Sequence, residues 1–311
     1  MSVVVDTMYL IRRWSFLKGE SFGAIAEKYL HLLLSDIPKN THSIHFCCDR
    51  YSRNLKEAEQ EKRYLKSKVT KVYEVREQYI APDPKEFFAV SKNKANLLQF
   101  LCEEWCQRAR EHLRLILGTK HLYLSVGIQE ETKSVVIRDN AVKSVPELES
   151  TQKEADTRII LHSMFAFKTE ATERIIIKAN DTDVVTLCIY YAATFLKDLP
   201  ELWVQTDKNT FLPVHEMSAT LGLEICSALP FIHSLSGRDT TSYPYFTGKK
   251  AWFQASKQVD ISELQDFGET PVKSLPKKLK DQAAALTVAV YASKADHQED
   301  FDLGKLMVYT F

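Results

Sequence analysis

The sequence predicts an α/β fold built on a central, mostly parallel sheet, and three stretches carry that prediction. Val3-Val-Val-Asp6, Ile44-His-Phe-Cys-Cys-Asp49 and Ile175-Ile-Ile-Lys178 are short apolar runs of the kind that fills strands covered on both faces. Segments with helical spacing of apolar residues separate them, the alternation of a parallel sheet with crossover helices. A length of 311 residues allows one large α/β domain or two smaller ones. An apolar share of 45% and a charged share of 26% exclude a generally disordered chain.

Val3 to Asp6 reads as the first strand, with Asp6 at its exit and Thr7-Met-Tyr-Leu-Ile11 behind it. Ser21 is placed to cap a helix whose apolar positions Phe22, Ile25, Tyr29, Leu32 and Leu33 keep helical spacing; Pro38-Lys-Asn40 ends it. Ile44 to Asp49 is the second strand, again closing on an acid. From Arg50 to Arg76 Lys and Arg outnumber Glu. Arg50, Arg53, Lys56, Lys62, Arg63, Lys66, Lys68 and Lys71 form either one basic helical face or a solvated surface held by pairs such as Glu59–Arg63. Pro82-Asp-Pro84 marks a loop. Asn93 to Leu117 reads as a long amphipathic helix with Leu97, Leu98, Leu101, Trp105 and Leu113 toward the core.

His121 to Val126 gives a third strand, and a polar stretch with Asp139-Asn140 and Pro146 follows. Thr151 with Glu154 fits a capping box for a helix running through Ile159, Ile160, His162 and Phe165. Asp156 lies in its first turn, where a carboxylate suits the helix dipole. After the triple-Ile strand, Asn180, Asp181 or Asp183 can cap the apolar helix Val184 to Leu196. Glu201 to Gln205 is a further strand, returned by Asp207-Lys-Asn209 into Phe211 to Val214. Helices over His215 to Leu221 and Ile225 to Leu235 lead to Ser236-Gly-Arg-Asp-Thr-Thr-Ser242. Gly248-Lys249-Lys250 punctuates the exit, and Leu279 to Ala292 is the clearest helix of a charged tail.

The formal net charge is zero, which gives no support for a generally basic nucleic-acid coat; a polyanion partner needs a local basic patch. The six Cys (47, 48, 102, 106, 188, 226) show neither CxxC pairs nor zinc-finger spacing, as expected for buried thiols in a reduced, intracellular protein. Val184 to Leu196 is too short to span a bilayer, and Met1 to Asp6 lacks a basic n-region, so no membrane role or secretory signal is expected. Pro276-Lys-Lys-Leu-Lys280 is a nuclear-import look-alike that also reads as a solvated helix start. The nucleus is therefore favoured only slightly over the cytoplasm.

Seven acids stand at comparable places: Asp6, Asp49, Glu154, Asp156, Asp181, Asp183 and Asp239. If the strands are parallel, the strand ends converge on one sheet edge, the crevice such folds use. So many carboxylates repel one another unless divalent cations neutralise them. Hard oxygen donors without Cys or His point to Mg²⁺ or Mn²⁺. Two such ions about 3.5–4 Å apart activate water and stabilise the leaving oxygen of a phosphodiester.

The order Asp, Asp, Glu-x-Asp, Asp-x-Asp, Gly-x-Asp resembles the flap endonuclease branch of the PIN-like nuclease superfamily. Asp6 and Asp49 look like its first- and second-strand acids. Glu154 and Asp156 match its E-A-E/D segment, Asp181 and Asp183 its D-x-D, and Asp239 its Gly-x-Asp. The phrases E-A-D-T-R-I-I-L-H, D-T-D-V-V and S-G-R-D-T-T-S are similar to a large set of animal proteins with this core. The resemblance spans about Val3 to Lys250 and implies a PIN-like three-layer sandwich. The nuclease domain would occupy 1–255, with a helical arch-like insertion at 50–118 over single-stranded substrate and a helical extension at 256–311. It further implies two Mg²⁺ or Mn²⁺ ions held by the seven acids, and single-stranded or flapped DNA or RNA as substrate. Arg50, Arg53, Lys56, Lys62, Arg63, Lys66, Arg238, Lys249 and Lys250 are the expected nucleic-acid contacts.

The chain departs from the family in three places. Only Gly248-Lys249-Lys250 stands where the family carries a glycine-rich helix-turn-helix, Arg238 replaces a small or Cys residue, and Thr7 stands where Gly is usual. Two other readings compete. Asp181-Thr-Asp-Val184 also resembles the opening of haloacid-dehalogenase-type phosphatases, although that motif normally lies on the first strand. A non-catalytic PIN-like scaffold that binds nucleic acid or protein is the alternative of another class.

Overall fold

The computed structural model describes residues 1–13, 16–49, 71–109, 116–125, 132–152, 154–237, 247–266 and 275–292. Arg50, Arg53, Lys56, Lys62, Arg63, Lys66, Arg238 and Asp239 lie outside the described residues. The strands are β1 (Ser2–Asp6), β2 (Ser43–Cys47), β3 (His121–Leu124), β4 (Val135–Arg138), β5 (Ala141–Ser144), β6 (Arg174–Lys178), β7 (Glu201–Asp207) and β8 (Thr210–Pro213). Together they make an eight-stranded sheet in the order β5-β4-β3-β2-β1-β6-β7-β8. The centre, β3-β2-β1-β6-β7, is parallel throughout. Antiparallel hairpins close both sides.

Hairpin β4–β5 replaces what the sequence offered only as a polar stretch. Asp139 (φ 51°) and Asn140 (φ 60°) both take positive φ, as the turn of a two-residue hairpin of this hand requires. Neither is Gly, so the usual signal is absent.

Strand alternation sends Val3, Val5, Ile44 and Phe46 to one face. There they pack with Phe22, Ile25, Tyr29 and Leu33 of α2 (Phe22–Ser35) and with Leu97, Leu98, Leu101 and Trp105 of a longer helix, Ser91–Ala109. Ser21 caps α2 as expected, its Oγ accepting from the Ala24 N–H at 3.3 Å. The buried Trp105 Nε1–H donates to the Ala26 carbonyl at 2.9 Å. Between β1 and α2 runs α1 (Thr7–Arg13). Ahead of the longer helix, Pro84 opens the short α3 (Pro84–Phe88) with Asp83 as its cap, so part of the expected loop is helical. The longer helix becomes α4. The apolar stripe of α4 is part of the core. On the opposite face α5 (Ala155–Lys168) lies against β1, β2 and β6.

At the end of β6 the Lys178 side chain is 2% exposed. Its ammonium donates to the Asp36 carbonyl and, at 3.0 Å, to Asp36 Oδ2, so the buried charge is paired.

The chain divides into two compact units. One is Met1–Val184 with Asp198–Pro213, and the other is Val185–Lys197 with Val214–Phe311. The first holds the sheet. The second takes most of α6 (Thr182–Thr194), with α7 (Val214–Leu221), α8 (Leu223–Leu235), α9 (Lys249–Ala255) and α10 (Lys277–Ala292). Ile232, Trp252, Leu264 and Leu286 form part of its core. Among the described residues no helix is long and apolar enough to cross a membrane.

Candidate metal centre

Strand β1 has β2 on one side and β6 on the other, both parallel, with Asp6 level with Cys47 and Val5 level with Lys178. The chain leaves β1 first toward β2 and later returns to its other side. This reversal is where open α/β sheets form their crevice, at the carboxyl ends of the strands. Asp6 is the last residue of β1, Asp49 stands two past β2, and Asp181 three past β6. All three therefore lie at one edge, and α5 and α6 begin there too.

Each of the three carboxylates takes a backbone amide. The Met8 N–H donates to Asp6 Oδ1 at 2.9 Å, and the Asp183 N–H to Asp181 Oδ1 at 2.8 Å, so the helix-capping reading of Asp181 holds. The Ala155 N–H donates to Asp49 Oδ1 at 2.8 Å. That last bond corrects a sequence expectation. Glu154 occupies the N-cap of α5 without a side-chain cap bond, so Thr151 and Glu154 make no capping box. An acid from just past the end of β2 serves the first amide of the helix instead.

The electrostatics bring six of the seven acids together. Asp156 is pushed up to about 7, first by burial and then by the charges of Asp181, Asp49, Glu154 and Asp183. Asp6 is pushed up to about 6 by burial and by Asp49, against the opposing pull of the Met8 and Tyr9 amides and Arg12. Asp239 is outside the described residues. The cluster is one of charge rather than of closed ligand geometry: among the described residues, no three Asp, Glu, His or Cys stand within common reach of one ion. Asp6, Asp49 and Asp181 settle on nearby amides.

Two cations belong to the same rim, and sequence reasoning missed both. Arg12 of α1 lowers Asp6. The Lys94 ammonium on α4 is lowered by burial and by Arg12, and is partly restored by Asp49. Lys94 lies on the same helical line as Leu98, Leu101 and Trp105, and a charge on that apolar line was the available signal. Lys249 and Lys250 are exposed on α9 of the second unit, with Lys249 Nζ 3.0 Å from His233 Nε2.

A second polar cluster, also missed, occupies the other end of the strands. Ser43 Oγ donates to Glu170 Oε2 at 2.7 Å and the Tyr123 hydroxyl to Glu170 Oε1 at 2.8 Å, with His45 Nε2 3.4 Å from Oε2. Burial works to raise Glu170, but His45, Ser43 and Tyr123 outweigh it and hold the carboxyl at about 2. His45 Nδ1 lies 3.1 Å from His162 Nδ1, both rings fully buried. A carboxylate at Glu170 orients the His45 Nε2–H toward itself, leaving Nδ1 to accept from the His162 Nδ1–H. Single histidines and one glutamate spread from residue 45 to 170 carry no spacing that announces this. Comparison of the chain with models of known protein families, with curated proteins and with solved structures finds no match.

Proposed function

We propose that this chain is a metal-dependent nuclease of the flap endonuclease branch of the PIN-like superfamily, hydrolysing single-stranded or flapped DNA or RNA at the acid rim. One observation carries the reading: Asp6, Asp49 and Asp181 stand at the carboxyl ends of three adjacent parallel strands, β1, β2 and β6, where ionised carboxylates so placed repel one another and a divalent cation relieves that repulsion. Carboxylate oxygens without thiolate or imidazole suit Mg²⁺ or Mn²⁺. Asp6, Asp49, Glu154, Asp156, Asp181 and Asp183 would hold two ions, with Asp239 joining them by the resemblance. Bound there, the ions would supply an activated water and neutralise the leaving oxygen of a phosphodiester. Arg12 and Lys94 put positive charge beside Asp6 and Asp49, which suits them to a substrate phosphate.

The test is cleavage of labelled single-stranded and 5′-flapped oligonucleotides, DNA and RNA, with Mg²⁺ or Mn²⁺. The wild type is expected to cut with one of the two metals. Asp181→Asn combined with Asp183→Asn is expected to abolish cutting while circular dichroism and the urea midpoint stay close to wild type. A wild-type protein that cuts none of these substrates with either metal refutes the nuclease and leaves the scaffold that binds nucleic acid or protein.

A further inference from the structure

The rim acids come from separate segments, so their spacing depends on what ties those segments together. Arg158, one turn into α5, is 2% exposed. A buried guanidinium is costly unless its donors are used. Arg158 Nη1 donates to the carbonyls of Ser125 and Cys48, the latter at 3.3 Å, and Nε donates to the carbonyl of Gln152 at 3.2 Å. These carbonyls belong to the exit of β3, the exit of β2 and the approach to α5. The Cys48 N–H donates to Ser125 Oγ at 3.0 Å, and Ser125 Oγ donates to the Phe46 carbonyl at 3.2 Å, closing the tie between the two strand ends.

The bound carbonyls sit next to the acids. Cys48 directly precedes Asp49, and Gln152 stands two residues before Glu154. Asp49 then reaches the Ala155 amide at 2.8 Å. A planar fork with donors on several sides can hold three carbonyls at fixed angles; a lysine ammonium on a flexible stem cannot reproduce that geometry.

We propose that Arg158 is the positioning residue of the acid rim: by holding the Cys48 and Gln152 carbonyls with one guanidinium, it sets the separation between Asp49 and the Glu154–Asp156 pair at which a divalent cation binds both. The purpose rests on the metal-centre reading. The geometric part stands without it.

The test uses the full chain carrying Arg158→Lys or Arg158→Met, with two measurements. Mn²⁺ binding is followed by electron paramagnetic resonance of the free ion. Hydrogen exchange of the Ala155 amide is compared with that of Val4 and Ile176 in the core strands. A residue that only stabilises the fold shifts all three amides together; a positioning residue loosens Ala155 alone. Arg158→Lys is expected to weaken Mn²⁺ binding about 10–100-fold, the range for partners that orient ligands, and to speed exchange at Ala155 with Val4 and Ile176 unchanged. A folded variant with wild-type Mn²⁺ affinity overturns the proposal. So does wild-type Ala155 protection. If wild-type protein binds no Mn²⁺, the metal centre falls and the Ala155 amide alone decides the role of Arg158. If neither Arg158 variant folds, Ser125→Ala loosens the Cys48 end while keeping the guanidinium; unchanged Ala155 exchange there overturns the proposal.

Discussion

Replacing Asp156 by Asn tests the crowded rim without substrate. Its carboxyl moves from 3.8 to about 7 on folding, by burial first and then by Asp181, Asp49, Glu154 and Asp183. That is roughly 3 units at about 1.4 kcal/mol each, a ceiling of about 4 kcal/mol on what ionised Asp156 costs the folded protein. A carboxyl raised by folding binds its proton better in the folded state. Its contribution is complete below the unfolded value near 4 and is withdrawn as pH rises through about 7. Asn carries no such charge at any pH. In chelator, Asp156→Asn should therefore match wild type at pH 4 and exceed it at pH 8 by about 2–4 kcal/mol. The assay is urea unfolding at both pH values, with exchange of the β1 amides Val3 to Val5 reporting the unit that holds the sheet. Mg²⁺ should narrow the gap, because an ion bound by the wild type stabilises its folded state. A variant no more stable than wild type at pH 8, or a gain unchanged between pH 4 and pH 8, refutes the reasoning.

Three further outcomes are expected. Ala171 has φ 48° just past the end of α5, where the Thr172 N–H returns to the Ala166 carbonyl; Ala171→Gly should add about 1 kcal/mol in urea unfolding, and no gain removes the strain argument. Asp36→Ala leaves the Lys178 ammonium buried without its carboxylate and should cost about 3–5 kcal/mol, while Lys178→Met costs much less. Equal losses would falsify that account. Burial lowers His45 and His162 below 6.5, so the unfolded chain takes their protons first and stability drops as pH falls below that value, by up to about 1.4 kcal/mol per pH unit for each. Asp156 acts in the opposite sense over the same range, so the measurement is the difference between His162→Phe and wild type, which should shift with pH from 7 to 5; a constant difference refutes it.

The strands that carry the acids were legible because each is a short, mostly apolar run followed by a charge: Val3 to Asp6, Ile44 to Asp49 and the triple Ile before Asp181. Burial on both faces leaves a composition that few other structures produce. What was illegible depends on partners distant in sequence. Asp49 caps a helix beginning at Ala155, so the local Thr151–Glu154 pair looked sufficient when it is not used. Lys178 reads as a strand end and is a buried ion whose partner lies in the loop after α2. Hairpin β4–β5 hid because Asp139 and Asn140 adopt positive φ without a Gly. The division between the units passes near the start of α6, where an unbroken apolar helix gives no sign of a boundary.

The place of β1 has a consequence for how the protein is made. Its partner on one side, β2, follows soon in the chain, but on the other side Ser2 pairs with Ile175. Ribosomes add about 5–20 residues per second, so the second edge of β1 waits roughly 10–35 s for β6 to be synthesised. During that interval Val3, Val4 and Val5 present an open edge to any other strand nearby. Asp6 and Asp49 can meet early, whereas Asp181 joins only after β6 has been made. The newborn chain thus carries its central strand half-paired from the making of β2 until that of β6, and a chaperone that shields this edge would act before the acid rim exists.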